Sequence, residues 1–212
     1  MTSKRSYDNS KREAKAEATR QKIIDALIQQ LIENNSPEFS IEEAAATAGV
    51  TTRTLFRHFS NKEEMLLGVS EGILKLTGQI KEPLNPNDFL QVFKNTYCLF
   101  EQHPDLIKAT LLSDLGRGAR STLAERRRKA NMKALTPLVA QMREEEAKAV
   151  QAVLCNLITA ETWLNVTSNF NLDGNHAYAV IEWILKLAFD ALQAGNYPDF
   201  QQSLFTDGVT TK

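Results

Sequence analysis

Residues that break helices are scarce in this chain. Nine glycines and six prolines stand among 212 residues, where ordinary usage of about 7% and about 5% would supply roughly 25. A strand-poor, helical fold is expected. Cysteine is almost absent: Cys98 and Cys155 lie far apart and in no C-x-x-C pattern, so neither a disulfide framework nor a thiolate zinc site is implied. Both are read as small core residues. No apolar run reaches the roughly 18 residues of a membrane span. The opening stretch MTSKRSYDNSKREAKAEATRQK has no apolar centre of the kind a secretory signal needs, so no membrane association and a cytoplasmic location are expected. An excess of one charge is missing too, with 25 Lys and Arg against 26 Asp and Glu. Forty-two per cent of the residues are hydrophobic and 24% charged, which excludes disorder and predicts a packed core.

The charge balance conceals a segregation. Residues 1–22 hold seven Lys and Arg against three acids, residues 51–62 hold Arg53, Arg57 and Lys62 with His58 and no acid, and residues 25–50 hold five acids and no base. Positive charge therefore sits in two packets, a pattern suited to a polyanionic partner although the whole chain is near neutral.

Apolar positions 23, 24, 27, 28, 31 and 32 predict a helix over about 14–33, ended by Asn34-Asn35-Ser36-Pro37. Ser40 with Glu43 three residues on reads as a capping box, in which the Glu43 side chain reaches back to the cap amide. The helix it opens is short, because Gly49 follows Ala44-Ala45-Ala46-Thr47-Ala48. Thr51-Thr52 then offers a second cap for a helix over 53–59. Two short helices joined by a glycine-bearing turn form a helix-turn-helix. Ala45 and Ala48 suit a close helix crossing, Gly49 suits the turn, and Val50, Leu55 and Phe59 close a small core. Thr52 and Phe56, like Arg53 and Arg57, are four apart, so these four side chains line one outer strip. An ordinary hairpin with a solvated charged side is the plainer alternative, and it leaves the agreement of so many positions unexplained. Asn61-Lys62-Glu63-Glu64 opens a further helix to about Ile80.

Downstream, helices are expected near 87–102, 105–114 and 119–142, with a kink at Pro137. Residues 138–173 contain neither Gly nor Pro, and between 149 and 172 the only charge is Glu161. That stretch reads as one long buried helix. After Asp173-Gly174-Asn175 comes another, over 176–194, apolar almost all round apart from Glu182, Lys186 and Asp190. One subunit of this size seldom covers such a surface, so a self-complementary contact with a second copy is expected. Leu157, Leu164, Ile181, Ile184, Leu185 and Ala188 are the interface candidates.

The motif train Thr19-Arg20-x-x-Ile23-Ile24-x-Ala26, Ser40-Ile41-x-x-Ala44-Ala45-x-x-Ala48-Gly49-Val50-Thr51 and Thr54-Leu55-Phe56-x-His58-Phe59-x-x-Lys62-Glu63-x-Met65-Leu66 resembles the TetR family of transcriptional repressors. The resemblance implies an all-α homodimer of about nine helices per chain. Residues 1–67 would bind DNA through three helices; residues 68–212 would dimerise through the last two long helices and enclose an effector pocket. This chain has Arg53 where the family pattern has a small residue, and Phe56, without a hydroxyl, where it has Tyr. The family's phosphate contacts therefore carry over to His58 and Lys62.

The second helix of the motif is expected to enter the major groove N-terminus first. Arg53 is the expected base reader, since a guanidinium takes both acceptors of a guanine edge, worth about 1–3 kcal/mol of discrimination. Thr51 and Thr52 lie at the same helix start, and Thr52 suits a base or a thymine methyl. Arg57, His58 and Lys62 suit phosphates. A two-fold dimer implies a palindromic operator with half-sites spaced by turns of roughly 34–36 Å. The basic arm before residue 20 either follows the DNA backbone or is a solubilising tail. Phe93, Tyr97, Phe100 and Trp163 are pocket candidates for a small-molecule effector of unknown identity, although an aromatic stripe at helical spacing is more often core. Glu161 suits an effector's charge or a solvent-facing site. Arg126-Arg127-Arg128-Lys129 reads as a solvated helix face. No cofactor or metal is implied, and an enzyme is not expected: His58, His103 and His176 are isolated, Cys98 has no evident activating partner, and no H-E-x-x-H, G-x-S-x-G or phosphate-loop signature appears. The alternative function is a DNA-bound architectural or protein-interaction factor without an effector.

Overall fold

Helix signals in the sequence decide the architecture, and no strand occurs among the described residues. The computed structural model describes residues 3–33, 40–78 and 81–201. Ten helices lie in these stretches: α1 (Ser3–Glu33), α2 (Ile41–Thr47), α3 (Thr52–His58), α4 (Lys62–Thr77), α5 (Pro86–Gln102), α6 (Pro104–Leu112), α7 (Asp114–Val139), α8 (Glu144–Leu157), α9 (Ala160–Asn169) and α10 (Gly174–Gln193). The all-α class is as expected, with ten helices among the described residues where the resemblance implied about nine for the chain. The expected stop at 34–37 falls outside the described residues.

Packing divides the chain into two compact units, Met1–Lys81 with Cys98–Arg127, and Glu82–Tyr97 with Arg128–Lys212. The expected boundary between 67 and 68 falls inside α4. In the first unit Ile23, Ile24, Leu27, Ile28 and Leu31 of α1 form a buried stripe against Ala44 and Ala45 of α2, Leu55 of α3, Phe59, and Met65 and Val69 of α4. Each such aliphatic side chain contributes about 1.5–3 kcal/mol by leaving water. α4 can lie this close to α1 because it carries glycines at the crossing. A Cβ at position 72 would stand 2.5 Å from Ile24 Cγ2 and 2.8 Å from Ile28 Cδ1.

The second unit is built on Phe89, Phe93 and Tyr97 of α5, Ala134, Leu135 and Leu138 of α7, Leu154 and Cys155 of α8, Trp163 of α9, and Ala177, Ile181, Leu185, Phe189 and Leu192 of α10. The single long helix expected across 138–173 does not form. The stretch holds the end of α7, a break at 140–143, and two helices, α8 and α9, parted at Ile158-Thr159. Hydroxyl groups account for the break by taking the carbonyls that end α8. Thr159 and Thr162 both donate to the Asn156 carbonyl, at 2.9 and 2.7 Å, and the Tyr97 hydroxyl donates to that of Leu157 at 3.2 Å. Thr159 then caps α9 by accepting the Thr162 amide. Nor is the stretch buried throughout, since Val153 and Glu161 are exposed. α7 runs through Pro137 and ends two residues later, at Val139.

The two cysteines differ. Cys155 is buried, and burial pushes its thiol up to about 12. Cys98 is exposed, contrary to expectation. With Phe93, Tyr97 and Phe100 setting the inward face of α5, its side chain falls about 100° round the helix from that of Tyr97.

Candidate nucleic-acid interface

The helix-turn-helix is assembled from local signals. Ser40 caps α2 by accepting the Glu43 amide at 3.2 Å. The other half of the expected capping box is replaced. The Glu43 carboxylate accepts instead from Gln30 Nε2 at 2.7 Å, while the Ser40 amide donates to Gln30 Oε1 at 3.2 Å. One buried glutamine of α1 thus satisfies both partners and ties α2 to α1. Gly49 makes the turn in the left-handed region, at φ 68°, where a side chain is disfavoured. Val50 donates to the Ala45 carbonyl at 2.9 Å. Thr51 caps α3, its hydroxyl accepting from the Thr54 amide at 3.2 Å.

α3 is seven residues long, about 10 Å of helix. Leu55 and the following Phe59 are fully buried and hold it down. The opposite side is the strip the sequence defines: Arg53 and Arg57 are exposed, Phe56 is 53% exposed, and Thr52 is half-buried beside them. Thr51 is exposed at the start of the helix, and His58 is half-buried at its end. Lys62 is exposed in the first turn of α4. A short helix with its apolar residues anchored and two arginines one turn apart on the outer side has the shape and charge to enter a DNA groove.

At the joint between α3 and α4 the sequence marks the Asn61 start of the next helix, and the structure adds a second tie. Ser60 gives both its amide and its hydroxyl to one oxygen of Glu64, at 2.9 and 2.6 Å, and Asn61 caps α4 by accepting the Glu64 amide at 2.8 Å. Those Ser60 hydrogen bonds hold the Glu64 carboxyl below its ordinary range. Ser60 and Glu64 are four apart, the spacing that would have identified the pair.

Three comparisons with known proteins bear on this motif. Residues 23–69 match the model for bacterial regulatory proteins, tetR family. Over that stretch the chain is similar to the tetR family of bacterial regulators. A stretch of 56 residues is 38% identical to an uncharacterized HTH-type transcriptional regulator, TtgW, of Pseudomonas putida, covering 26% of this chain and 42% of that protein. The match thus spans less than half of that relative. Among solved structures, native NalD, the secondary repressor of the MexAB-OprM multidrug efflux pump in Pseudomonas aeruginosa, aligns over 88% of this chain and 99% of its own, with a TM-score of 0.54 and 15% identity. That likeness is one of fold, and it extends beyond the DNA-binding motif. A TetR transcriptional regulator from Rhodococcus sp. RHA1 aligns at a TM-score of 0.42 and 18% identity over 84% of this chain and 98% of its own.

The other expected sites lie elsewhere in the chain. Phe93, Tyr97 and Trp163 are buried in the second unit, while Phe100 is buried and belongs to the first. The Phe93 ring stacks on Tyr178 at 4.9 Å and meets Tyr97 edge-on at 4.6 Å. Burial raises the Tyr97 phenol well above its ordinary value. A concavity of about 400 Å³ lies away from these rings, where α7 and α10 end, against Pro137, Gln141, Leu192 and Tyr197. Of the six dimer candidates, Ile181 and Leu185 turn into their own unit, Leu185 with no exposure at all. Leu157, Leu164 and Ala188 are half-buried, and Ile184 is open. Ile184 shares its exposed face with Val180, Trp183 and Leu187, which the sequence reading did not single out for an interface. Glu161 lies exposed in the first turn of α9, and Arg126, Arg127, Arg128 and Lys129 are exposed on α7. No helix among the described residues is long and apolar enough to cross a membrane.

Proposed function

We propose that the chain is a TetR-type transcriptional regulator that acts as a homodimer, inserts one α3 into each half of a palindromic operator, and represses until a small molecule releases it. One observation carries the reading: Thr52, Arg53, Phe56 and Arg57 form the outer strip of a helix whose inner residues, Leu55 and Phe59, are fully buried. Arg53 reads a guanine edge, Thr51 and Thr52 meet the DNA at the helix start, and Phe56 makes apolar contact with a base or sugar. Arg57, His58 and Lys62 hold phosphates. Residues 1–67 carry the DNA contacts; residues 68–212 carry association and control.

Association uses the open face of α10, where Val180, Trp183, Ile184 and Leu187 recur with helical spacing; Ala188 of the same helix and Leu157 and Leu164 are half-buried. A contiguous apolar stripe of this kind favours burial against a second copy. The repressor sign follows NalD, which is described as a repressor. For an effector, the region of Phe93 and Tyr97 must open, because these rings pack on each other and on Tyr178; Trp163 is buried in the same unit and Phe100 lies in the other. That close packing favours a second reading, a DNA-bound factor whose larger part meets a protein in place of a metabolite.

Selection of duplexes from a random-sequence library tests the first claim, with enrichment of a two-fold-symmetric site expected. Enrichment of no sequence over scrambled competitor refutes it. Thermal shift against a metabolite panel separates the two readings, since a ligand that binds the folded state raises its melting temperature.

A further inference from the structure

The surroundings of the end of α3 identify one more residue with a part in recognition. Arg20 belongs by sequence to the basic N-terminal stretch and would be counted there as one more cation for phosphates. Its guanidinium carbon stands 4.9 Å from the centroid of the Phe59 ring. Its Nη1 is 3.9 Å from Glu71 Oε2 of α4, and only 23% of its side chain is exposed. Position 68 of α4 leaves room for this arrangement, since a Cβ there would lie 2.8 Å from Phe59 Cε1 and 3.4 Å from Arg20 Nη2. Phe59 ends α3, donating its amide to the Leu55 carbonyl at 3.0 Å. The next residue, Ser60, is held by Glu64. Ring, guanidinium and two carboxylates therefore converge on the joint that follows the reading helix.

We propose that Arg20 is a positioning residue for DNA recognition: stacked on Phe59 and drawn to Glu71, it fixes the end of α3, and with it the angle of Arg53 and Arg57, without touching DNA. The proposal rests on the DNA-binding reading above. A helix of two turns has little rigidity of its own, so a tilt at Phe59 is transmitted to the whole reading strip. A planar guanidinium suits a ring face better than the compact, strongly hydrated ammonium of lysine.

The test uses the full-length protein, the duplex that the wild type enriches from a random library, and a scrambled duplex of the same composition, titrated across salt. Arg20→Met keeps the apolar stem and removes the charge and the plane. The preference for the enriched duplex is expected to fall about three- to tenfold, the scale of one partly exposed cation–ring contact. Binding to scrambled DNA and the salt slope stay unchanged. Equal loss on both duplexes with a slope reduced by about 0.9 would mark a phosphate contact and overturn the proposal. Arg20→Lys and Glu71→Gln carry the test if Arg20→Met folds poorly. Positioning predicts a reduced preference in both, whereas a phosphate contact predicts wild-type behaviour for the first and tighter scrambled binding for the second. Amide exchange without DNA supplies a separate readout: in Arg20→Met the Phe59 amide should exchange about three- to tenfold faster while α10 is unaffected. Unchanged protection of Phe59 overturns the clamp. If the wild type enriches no duplex, the DNA-binding reading fails while the exchange result still decides the clamp.

Discussion

Gly72→Ala measures how closely α4 is seated on α1, and so how firmly the reading helix is backed. The added methyl would lie 2.5 Å from Ile24 Cγ2 and 2.8 Å from Ile28 Cδ1. Ile28 can yield by swinging its terminal carbon. Ile24 cannot, because Cγ2 is bonded directly to Cβ and a helical isoleucine holds one χ1 rotamer about 90% of the time. Forcing a methyl into a packed core costs about 1–3 kcal/mol. Against this stands the intrinsic preference of a helix interior for Ala over Gly, about 0.8–1.0 kcal/mol. A 2.5 Å contact with a stiff side chain puts the cost in the upper half of that range, so sterics should win with a net loss of about 1–2 kcal/mol. With a urea slope of about 1–3 kcal/mol/M, the unfolding midpoint should fall by roughly 0.3–2 M, read by far-UV circular dichroism at fixed protomer concentration so that association does not shift the result. A midpoint that rises would mean that helix propensity prevailed, and the close α1–α4 seat would be refuted together with the support it gives Phe59.

Three further outcomes are expected. Arg53→Ala should relax preference at one or two base pairs of the operator, whereas Lys62→Ala should weaken all sequences alike and lower the salt slope by about 0.9; identical loss profiles in a binding assay on operator variants would contradict this division. Trp183→Glu, at a site 61% exposed on α10, should leave the secondary structure intact and convert the dimer to a 23.8 kDa subunit in sedimentation, and a persistent dimer would move the interface elsewhere. The Glu64 carboxyl, held below its ordinary value of 4.5 by the Ser60 hydroxyl and amide, should stabilise the fold above that pH and cease to do so as pH falls through the lowered value. The stability gap between wild type and Glu64→Gln, followed as the urea midpoint, should therefore close in acid, and a gap that persists to about pH 2 would exclude the linkage.

Local rules made the N-terminal part legible. Caps at Ser40, Thr51 and Asn61 and the left-handed glycine at 49 each act within four residues, and all four stand where the pattern places them. What sequence could not give depends on partners distant in the chain. Gln30 replaces half of the capping box from ten residues away. The hydroxyl of Tyr97 reaches a carbonyl sixty residues on and helps to end α8 where composition favoured continuation. Cys98 and Cys155 look alike in the sequence, yet helix phase exposes one and buries the other. α10 is the sharpest case. Being apolar nearly all round, it gives no signal for which half its own unit will cover, and packing alone turns Ile181 and Leu185 inward and leaves Trp183 and Leu187 outside.

That division of α10 bears directly on recognition. One α3 presents a single expected base reader, Arg53, worth about 1–3 kcal/mol against a wrong base. Specific regulators exceed their own non-specific binding by about 4–10 kcal/mol. A single copy of this helix falls short of that margin, and the neighbouring Arg57 and Lys62, in their proposed phosphate role, would add affinity without discrimination. Two copies on one duplex double the base-reading contribution and bring it to the lower part of the required range. On the proposed reading, the open stripe on α10 is therefore a condition of sequence recognition as well as of association. Trp183→Glu should reduce the preference for a palindromic site to that for a single half-site, even though it leaves every residue of the reading helix untouched. A monomeric variant that retained full discrimination would show that α3 reads more of the DNA than Arg53 alone provides.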